Sequence, residues 1–193
     1  MVKTLSTMMP LGTQAPDFML PDVVSGHRIT LGDFGGQKGL LVMFICAHCP
    51  YVKHIEEQLA SIGDDYIPQR LGVVAISAND VEAHPDDSPV HLKSQAERAG
   101  FDFPYLFDES QMVAKEYTAA CTPDFFLFDD AMSLVYRGQL DESRPDTDIP
   151  VTGADLRRAI ETLLAGGQPL ENQLPSLGCN VKWRPGNEPD YFG

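Results

Sequence analysis

A CxxC motif set between an apolar run and a helical pattern restricts the fold of this chain more than any other feature. Residues 39–45 read GLLVMFI and residues 46–50 read CAHCP. Beyond this motif, apolar residues recur every three or four positions, at Tyr51, Ile55, Leu59 and Ile62. The spacing predicts an amphipathic helix that accepts Pro50 in its first turn. A strand that leads into a helix through two cysteines predicts a reactive dithiol at the junction, where the helix dipole favours a thiolate.

Short apolar runs and helix-capping residues mark the remaining elements. Runs that are apolar on both faces are typical of central strands in a covered sheet, and they occur at residues 40–45, 71–77, 125–128 and 134–136. Ser88 and Pro89 predict a helix start and Gly100 its end. Thr152 and Asp155 predict a capping box for a later helix. The order β–α–β–α–β–β–α predicts an α/β fold with a mixed central β-sheet and helices on both faces.

Two segments fall outside this core pattern. Residues 1–34 form a lead-in, in which Ser25 and Gly26 predict the turn of a hairpin. Residues 167–193 form a C-terminal tail that contains Trp183, the single tryptophan of the chain. Because a solvated tail would not normally use large aromatic residues, we predict that it is ordered. We therefore predict one domain over residues 1–193, with the lead-in and the tail packed on it.

Charge and composition exclude several classes of function. The formal net charge of −14 disfavours nucleic acid as a partner, because its phosphates would be repelled. No apolar stretch approaches the roughly 20 residues that a membrane-spanning helix needs, so we expect no membrane partner. The first ten residues lack the apolar segment of a secretory signal, which predicts a cytoplasmic location. In a reducing compartment, four cysteines are expected to be catalytic or metal-binding rather than a disulfide scaffold.

The CxxC motif allows roles to be assigned to its residues. We expect Cys46 to be the exposed nucleophile and Cys49, inside the first helical turn, to be the resolving thiol. His48 either lowers the pKa of the Cys46 thiol or is a solvated residue with little effect. A zinc site would need a second pair of ligands, whereas Cys121 and Cys179 are isolated in the sequence. Redox chemistry is therefore favoured over metal binding, and we expect neither a metal nor a cofactor.

A second motif, Cys121-Thr122-Pro123, directly precedes a predicted strand. We predict that the Thr122–Pro123 peptide bond is cis and that this loop faces the CxxC motif, where its backbone could pair with that of a substrate. Cys121 is either a spare thiol or a small buried hydrophobe, and burial is favoured. Cys179 in the tail is either a distant resolving thiol that attacks an oxidised Cys46 or a packed, inert residue, and the inert role is favoured because Cys49 already resolves.

The acidic segment 82–87 reads EAHPDD and lies between two predicted elements. It could be a recognition insert. A solvated surface loop is the favoured interpretation, because a run of charged residues is usually solvated.

Several motifs together carry a family resemblance. Residues 12–20, GTQAPDFML, are similar to the Gly-x-x-Ala-Pro-Asp-Phe-x-Leu opening that peroxiredoxins share with redoxins of the cytochrome-maturation type. A bacterial redoxin subgroup with a CxHCP motif is similar to this chain at residues 46–53 (CAHCPYVK), 121–128 (CTPDFFLF) and 178–183 (GCNVKW). The chain is identified as a member of the thioredoxin superfamily, in its alkyl hydroperoxide reductase C/thiol-specific antioxidant (peroxiredoxin-like) branch. The resemblance implies a thioredoxin-like fold with redox chemistry at the two motifs.

Three functions are compatible with these residues. The first is a thiol–disulfide oxidoreductase, in which Cys46 attacks a protein or small-molecule disulfide and Cys49 resolves the mixed disulfide, with an electron donor restoring the dithiol. The second is a thiol peroxidase in which Cys46 becomes a sulfenic acid and Cys49 condenses with it. Met43, which replaces the Thr or Ser of peroxiredoxins, disfavours this function. The third is a metal-thiolate protein that binds a soft ion such as Cu(I) through Cys46, Cys49 and His48.

Overall fold

The computed structural model describes residues 3–192, which form strands joined by loops and by α-helices. The strands are β1 (Lys3–Leu5), β2 (Met19–Pro21), β3 (Arg28–Thr30), β4 (Gly39–Phe44), β5 (Leu71–Ser77), β6 (Tyr105–Phe107), β7 (Cys121–Thr122), β8 (Asp124–Asp129), β9 (Leu134–Gly138) and β10 (Leu177–Asn180). The helices are α1 (Pro50–Tyr66), α2 (Pro89–Ala99), α3 (Met112–Glu116) and α4 (Ala154–Leu164). Met1, Val2 and Gly193, at the ends of the predicted lead-in and tail, lie outside the described residues.

The centre of the fold is a five-stranded mixed sheet in the order β6-β5-β4-β8-β9. Strands β4, β5 and β6 are parallel to one another, and β8 and β9 are antiparallel to their neighbours. Every residue of β4 and β5 is buried, which explains why both runs are apolar on both faces. The four predicted strands are confirmed, and the three-residue β6 is a strand that the sequence patterns did not reveal.

The helix starts were predicted correctly in two of three places. Helix α1 begins at Pro50, directly after its N-cap Cys49. Helix α2 has Ser88 as its N-cap and ends at Gly100, which adopts the left-handed conformation (φ 72°) that glycine tolerates best. Pro50 and Pro89 occupy the first positions of α1 and α2. Neither costs a hydrogen bond, because a backbone N–H at that position would have no partner within the helix.

The predicted capping box of Thr152 and Asp155 is wrong. Helix α4 begins one residue later than that box requires, after Gly153 in a left-handed conformation (φ 70°). Asp141 Oδ2 instead accepts hydrogen bonds from the backbone N–H groups of Thr152 (2.7 Å) and Gly153 (2.6 Å). Asp141 therefore takes one of the two donors that a local capping box would have served, the Thr152 N–H, and the Leu140 carbonyl oxygen takes the other, the Asp155 N–H (3.1 Å).

The apolar core forms two layers, one on each face of the central sheet. Residues of α1, α2 and α4 pack on one face, and this layer includes Cys46, Cys49 and Cys179. The short helix α3, the lead-in residues Phe18 and Leu20 and the tail residue Trp183 contribute to the other layer. The predicted architecture, a mixed sheet with helices on both faces, is confirmed.

The two ends of the chain meet at the Cys121–Thr122 segment. In the lead-in, β2 and β3 form the predicted hairpin. In a separate three-stranded sheet, the tail strand β10 lies between β1 and β7 and is antiparallel to both. Trp183 is buried and contacts the ring of Tyr191, as expected of an ordered tail. Among residues 3–192, no helix is long and apolar enough to cross a membrane.

Candidate active site

The CxxC motif lies at the carboxyl end of β4, where the strand turns into α1. Cys46 follows the end of β4 by two residues, and Cys49 is the N-cap of α1. Both side chains are buried: neither residue has measurable exposure. The expectation that Cys46 is exposed is therefore wrong, and Cys49 lies just before the first helical turn rather than inside it.

The second motif faces the first, as predicted. The Thr122–Pro123 peptide bond is cis. Thr122 Oγ1 lies 3.4 Å from Cys46 Sγ, and the Thr122 carbonyl oxygen lies 3.2 Å from Cys49 Sγ. One residue of the loop therefore contacts both sulfurs of the dithiol.

Asp87 anchors the CxxC loop, a role that the sequence analysis missed. It is fully buried, so the favoured interpretation of segment 82–87 as a solvated loop fails at this residue. Asp87 Oδ1 accepts hydrogen bonds from the backbone N–H groups of Ala47 (2.8 Å) and His48 (3.0 Å). Its Oδ2 accepts from Asn79 Nδ2 (2.7 Å) and from His48 Nδ1 (2.5 Å). Four donors thus converge on one carboxylate and fix the loop that carries Cys46.

A signal for this contact was present in the strand order. Strands β4 and β5 are consecutive, parallel neighbours, so the loops that follow them meet at the same edge of the sheet. The CxxC loop follows β4, and the segment that contains Asn79 and Asp87 follows β5. An acidic residue in the second loop was therefore a candidate partner for the first.

His48 and Asp87 form an ion pair beside Cys46. The hydrogen bond to Asp87 raises the pKa of His48. Burial alone would raise the pKa of Asp87, but hydrogen bonds from His48 and Asn79 outweigh burial and lower that pKa. His48 Nδ1 is 3.9 Å from Cys46 Sγ, at the edge of contact with the sulfur. The ring of His84 stacks on that of His48 at a centroid distance of 5.4 Å, and burial and the His48 charge lower its own pKa.

The pKa values of the two thiols in the dithiol are shifted in opposite directions. Hydrogen bonds from the thiols of Cys179 and Cys46 lower the pKa of Cys49, and the backbone N–H of Val52 assists them against the opposing effect of burial. The same contact with Cys49, together with burial and the Asp87 charge, raises the pKa of Cys46. Of the two roles left open for His48, the one that lowers the pKa of Cys46 is not borne out, because contact with Cys49, burial and the Asp87 charge together raise that pKa.

The tail brings a third sulfur to the dithiol. Cys179 lies opposite Thr122 in the β10–β7 pairing, and its Sγ is 2.8 Å from Cys49 Sγ. The neighbouring Gly178 passes so close to the cis loop that an added Cβ would lie 2.1 Å from the Thr122 carbonyl oxygen. Glycine is therefore required for this approach, and Cys179 is placed next to Cys49 by backbone pairing.

Cys121 and Asp124 lie behind the cis loop. Cys121 is buried, and burial and the nearby Asp124 raise its pKa, as expected for an unreactive thiol that fills a core position. Asp124 is also fully buried, and burial raises its pKa to about 8. In the sequence, Asp124 reads as the first residue of an otherwise apolar strand, so no pattern marks it as a site residue.

Three groups at the site could hold a metal ion. The ligand atoms of Cys46, His48 and Asp87 lie within 4.8 Å of one another. This set differs from the Cys46, Cys49 and His48 set proposed for Cu(I), since a carboxylate is a hard ligand and Cu(I) prefers sulfur. His48 Nδ1 would also have to leave Asp87 to bind an ion. The arrangement gives the metal hypothesis little support.

The chain matches the AhpC/TSA family over residues 11–137, a region that includes the lead-in motif, the CxxC motif and the cis loop. The chain belongs to the AhpC/TSA family. A comparison with curated proteins finds no match. Among solved structures, an uncharacterized conserved protein from Geobacillus kaustophilus is 50% identical with a TM-score of 0.94, covering 96% of this chain and 98% of that one.

More distant structures show the fold of this AhpC/TSA chain. The thioredoxin domain of a thiol-disulfide oxidoreductase from Bacteroides vulgatus is 20% identical, with a TM-score of 0.62, and covers 81% of this chain and 99% of that one. Peroxidoxin BcpB from Mycobacterium tuberculosis is 22% identical, with a TM-score of 0.61, and covers 81% and 97%. The predicted thioredoxin-like fold and the predicted branch of the superfamily are confirmed.

Proposed function

We propose that this AhpC/TSA protein is a thiol–disulfide oxidoreductase whose redox centre is the Cys46–Cys49 dithiol. The observation that carries the proposal is the contact of both sulfurs with Thr122. Cys46 Sγ lies 3.4 Å from the Thr122 hydroxyl oxygen, and Cys49 Sγ lies 3.2 Å from the Thr122 carbonyl oxygen. This geometry holds two thiols beside a loop whose neighbouring surface can receive a substrate. Its membership of a redox family supports the same chemistry.

The charge distribution suggests how the first step proceeds. The lowered pKa of Cys49 makes its sulfur the acceptor for the proton that Cys46 gives up as it attacks the substrate disulfide. The Cys46–substrate bond forms, the substrate S–S bond breaks, and the departing thiolate takes the proton from Cys49. The Cys49 thiolate then attacks Cys46, which forms the Cys46–Cys49 disulfide and releases the second substrate thiolate.

A cleft beside the cis loop is the candidate substrate recess. It is a shallow cleft that opens to solvent, and it is lined by residues that include Tyr51, Pro123, Arg144 and Leu177. Because Cys46 is buried, its attack requires a local opening of the CxxC loop toward this recess. We expect protein or small-molecule disulfides as substrates, a thiol donor as the reductant, and a reducing compartment such as the cytoplasm as the location.

Disulfide exchange by reduced protein tests the proposal. The reduced chain is mixed with a fluorescent mixed disulfide of glutathione, and release of the fluorophore is followed. Cys46→Ser should reduce the rate of fluorophore release to that of a simple thiol in solution. Cys121→Ser, the matched control, should retain the rate of the native chain. Full activity in Cys46→Ser would refute the proposal.

The Thr122 hydroxyl favours a second candidate, a thiol peroxidase. Met43 is buried in the core, so it supplies no hydroxyl, but Thr122 Oγ1 lies 3.4 Å from Cys46 Sγ and could orient a peroxide. Cys46 would attack one peroxide oxygen to give a sulfenic acid and water or an alcohol, and Cys49 would condense with it and release water. If this is the function, Thr122→Val should slow peroxide consumption by a larger factor than it slows disulfide exchange, because the hydroxyl would orient the peroxide and also contacts Cys46 in both reactions. Peroxide consumption no faster than that of a free thiol would exclude it.

A further inference from the structure

The tail places a sulfur atom very close to that of Cys49. Cys179 Sγ is 2.8 Å from Cys49 Sγ, longer than the ~2.05 Å of a disulfide bond but shorter than an ordinary contact between two sulfur atoms. The Cys179 side chain is buried, so the pair is shielded from solvent. The contact with Cys49 and burial raise the pKa of Cys179, so its thiol must give up a proton as it reacts. At this distance its sulfur needs little movement to bond to that of Cys49.

The fold holds Cys179 in place from both sides. Strand β10 pairs with β1 through Cys179 and Lys3, and with β7 through Cys179 and Thr122. The close approach of Gly178 to the Thr122 carbonyl oxygen fixes the distance between β10 and the cis loop. Strand β10 thus lies along the loop residue that we expected to pair with the backbone of a substrate. The chain carries a cysteine in the position of such a partner.

We propose that Cys179 is a third redox-active thiol, which converts the Cys46–Cys49 disulfide into a Cys49–Cys179 disulfide. This inference rests on the proposed function. The Cys179 sulfur attacks Cys49, the Cys46–Cys49 bond breaks, and Cys46 departs as a thiolate that takes the proton from Cys179. One S–S bond forms as another breaks, so the chain is neither oxidised nor reduced in this step.

The rearrangement changes which sulfur is available in the oxidised protein. In the Cys46–Cys49 form the nucleophile is blocked. In the Cys49–Cys179 form the disulfide joins helix α1 to strand β10, and Cys46 is again a thiol. The tail cysteine is therefore part of the redox centre, in contrast to the inert role that the sequence analysis favoured, and its target is Cys49 rather than Cys46.

Mapping of the disulfides in the full-length oxidised chain tests this inference. Reduced protein is oxidised with one equivalent of diamide, quenched with acid, alkylated, and digested without reduction for mass spectrometry. We expect a Cys49–Cys179 disulfide with alkylated Cys46 in the native chain. Cys46→Ser should form the same disulfide, and Cys121→Ser should not change the pattern. In Cys179→Ala only the Cys46–Cys49 bond should form, and alkylation of Cys46 should fall to background.

Two results would overturn the inference. The first is an oxidised native chain that contains Cys46–Cys49 as its single disulfide at all times. The second is a Cys46→Ser variant that forms no intramolecular disulfide. The native-chain experiment needs no variant, so it decides the question even if Cys179→Ala does not fold. Failure of the proposed function is distinguishable, because it appears as full exchange activity in Cys46→Ser whatever disulfide the oxidised chain contains.

Discussion

Two regions flank the CxxC motif, and each contains a fully buried carboxyl group in a different electrostatic setting. In the first region, Asp87 accepts four hydrogen bonds, and its pKa is lowered. In the second, Asp124 follows Pro123, its Oδ1 has no hydrogen-bond partner among the described residues, and burial raises its pKa to about 8. Burial is the same for both groups. The number of donors therefore decides whether a buried acid is charged or neutral.

This contrast extends to the sulfur atoms. Cys46 lies near the charged Asp87, which helps to raise its pKa, whereas Cys49 lies among thiols and backbone N–H groups that lower its pKa. The two sulfurs, three residues apart in the chain, thus have pKa values that are shifted in opposite directions. Charged groups fix the Asp87 region, and backbone pairing with the tail fixes the Thr122 region.

The largest expected effect comes from removing the carboxyl group of Asp124. The unfolded acid loses its proton near pH 4 and the folded one near pH 8, so the folded chain binds more protons in between, and the free energy of unfolding falls as the pH rises across this window. At ~1.4 kcal/mol per pKa unit, Asp124→Asn should be more stable than the native chain by several kcal/mol above pH 8. Urea unfolding at about pH 5, 7 and 9 measures this difference. The exposed Asp86→Asn is the control, and an equal pH dependence in Asp124→Asn and the native chain would contradict the prediction.

The opposite pH dependence is expected for Asp87. Its lowered pKa means that its contribution to stability is present above pH ~4 and is lost as the pH falls through the folded pKa. Asp87→Asn should destabilise the chain at neutral pH by about 3 kcal/mol, because it leaves a buried ion pair incomplete. The destabilisation should shrink in acid. The pKa of His48, measured by NMR titration, should fall in the variant, and an unchanged His48 pKa would show that the ion pair does not control the site.

A methyl group at Gly178 should disturb the Thr122 region alone. The added Cβ would meet the Thr122 carbonyl oxygen at 2.1 Å, so Gly178→Ala should push β10 from the cis loop at a cost of about 2 kcal/mol in the free energy of unfolding. Gly32→Ala is the matched control, because its Cβ would make ordinary contact at 3.6 Å. Thermal unfolding measures the cost, and equal midpoints for the two variants would be evidence against a close fit at Gly178.

The smallest effect is expected at His48. His48→Gln leaves the Asp87 charge unbalanced, but His48 Nδ1 only reaches the edge of contact with Cys46 Sγ at 3.9 Å. The variant should therefore slow the alkylation of Cys46 by less than tenfold, which corresponds to less than about one pKa unit. The rate of modification by iodoacetamide, followed by mass spectrometry of the Cys46 peptide, provides the measurement. A larger decrease would mean that the imidazolium acts on the sulfur despite its carboxylate partner.

The sequence predicted the features that depend on local patterns. Apolar runs and capping residues located β4, β5, β8, β9, α1 and α2, and the Thr122–Pro123 peptide bond is cis, as predicted. The missed features depend on contacts between distant segments. Asp87, in the loop after β5, contacts the CxxC loop after β4. Cys179 contacts Cys49, which lies 130 residues earlier in the chain. The burial of Cys46 depends on the segments that pack around it in the folded chain, so the local motif could not predict it.

The position of β10 between β1 and β7 has a consequence for biosynthesis. The CxxC motif and the cis loop are synthesised well before the tail, and the Cys49–Cys179 contact spans 130 residues. While the chain emerges from the ribosome, Cys46 and Cys49 can react with each other or with other thiols before Cys179 has been made. Pairing of β1 with β10 joins Lys3 to Cys179, so it must wait until β10 has been synthesised. Completion of this small sheet therefore coincides with completion of the three-sulfur centre, and a nascent chain carries a simpler dithiol than the finished protein.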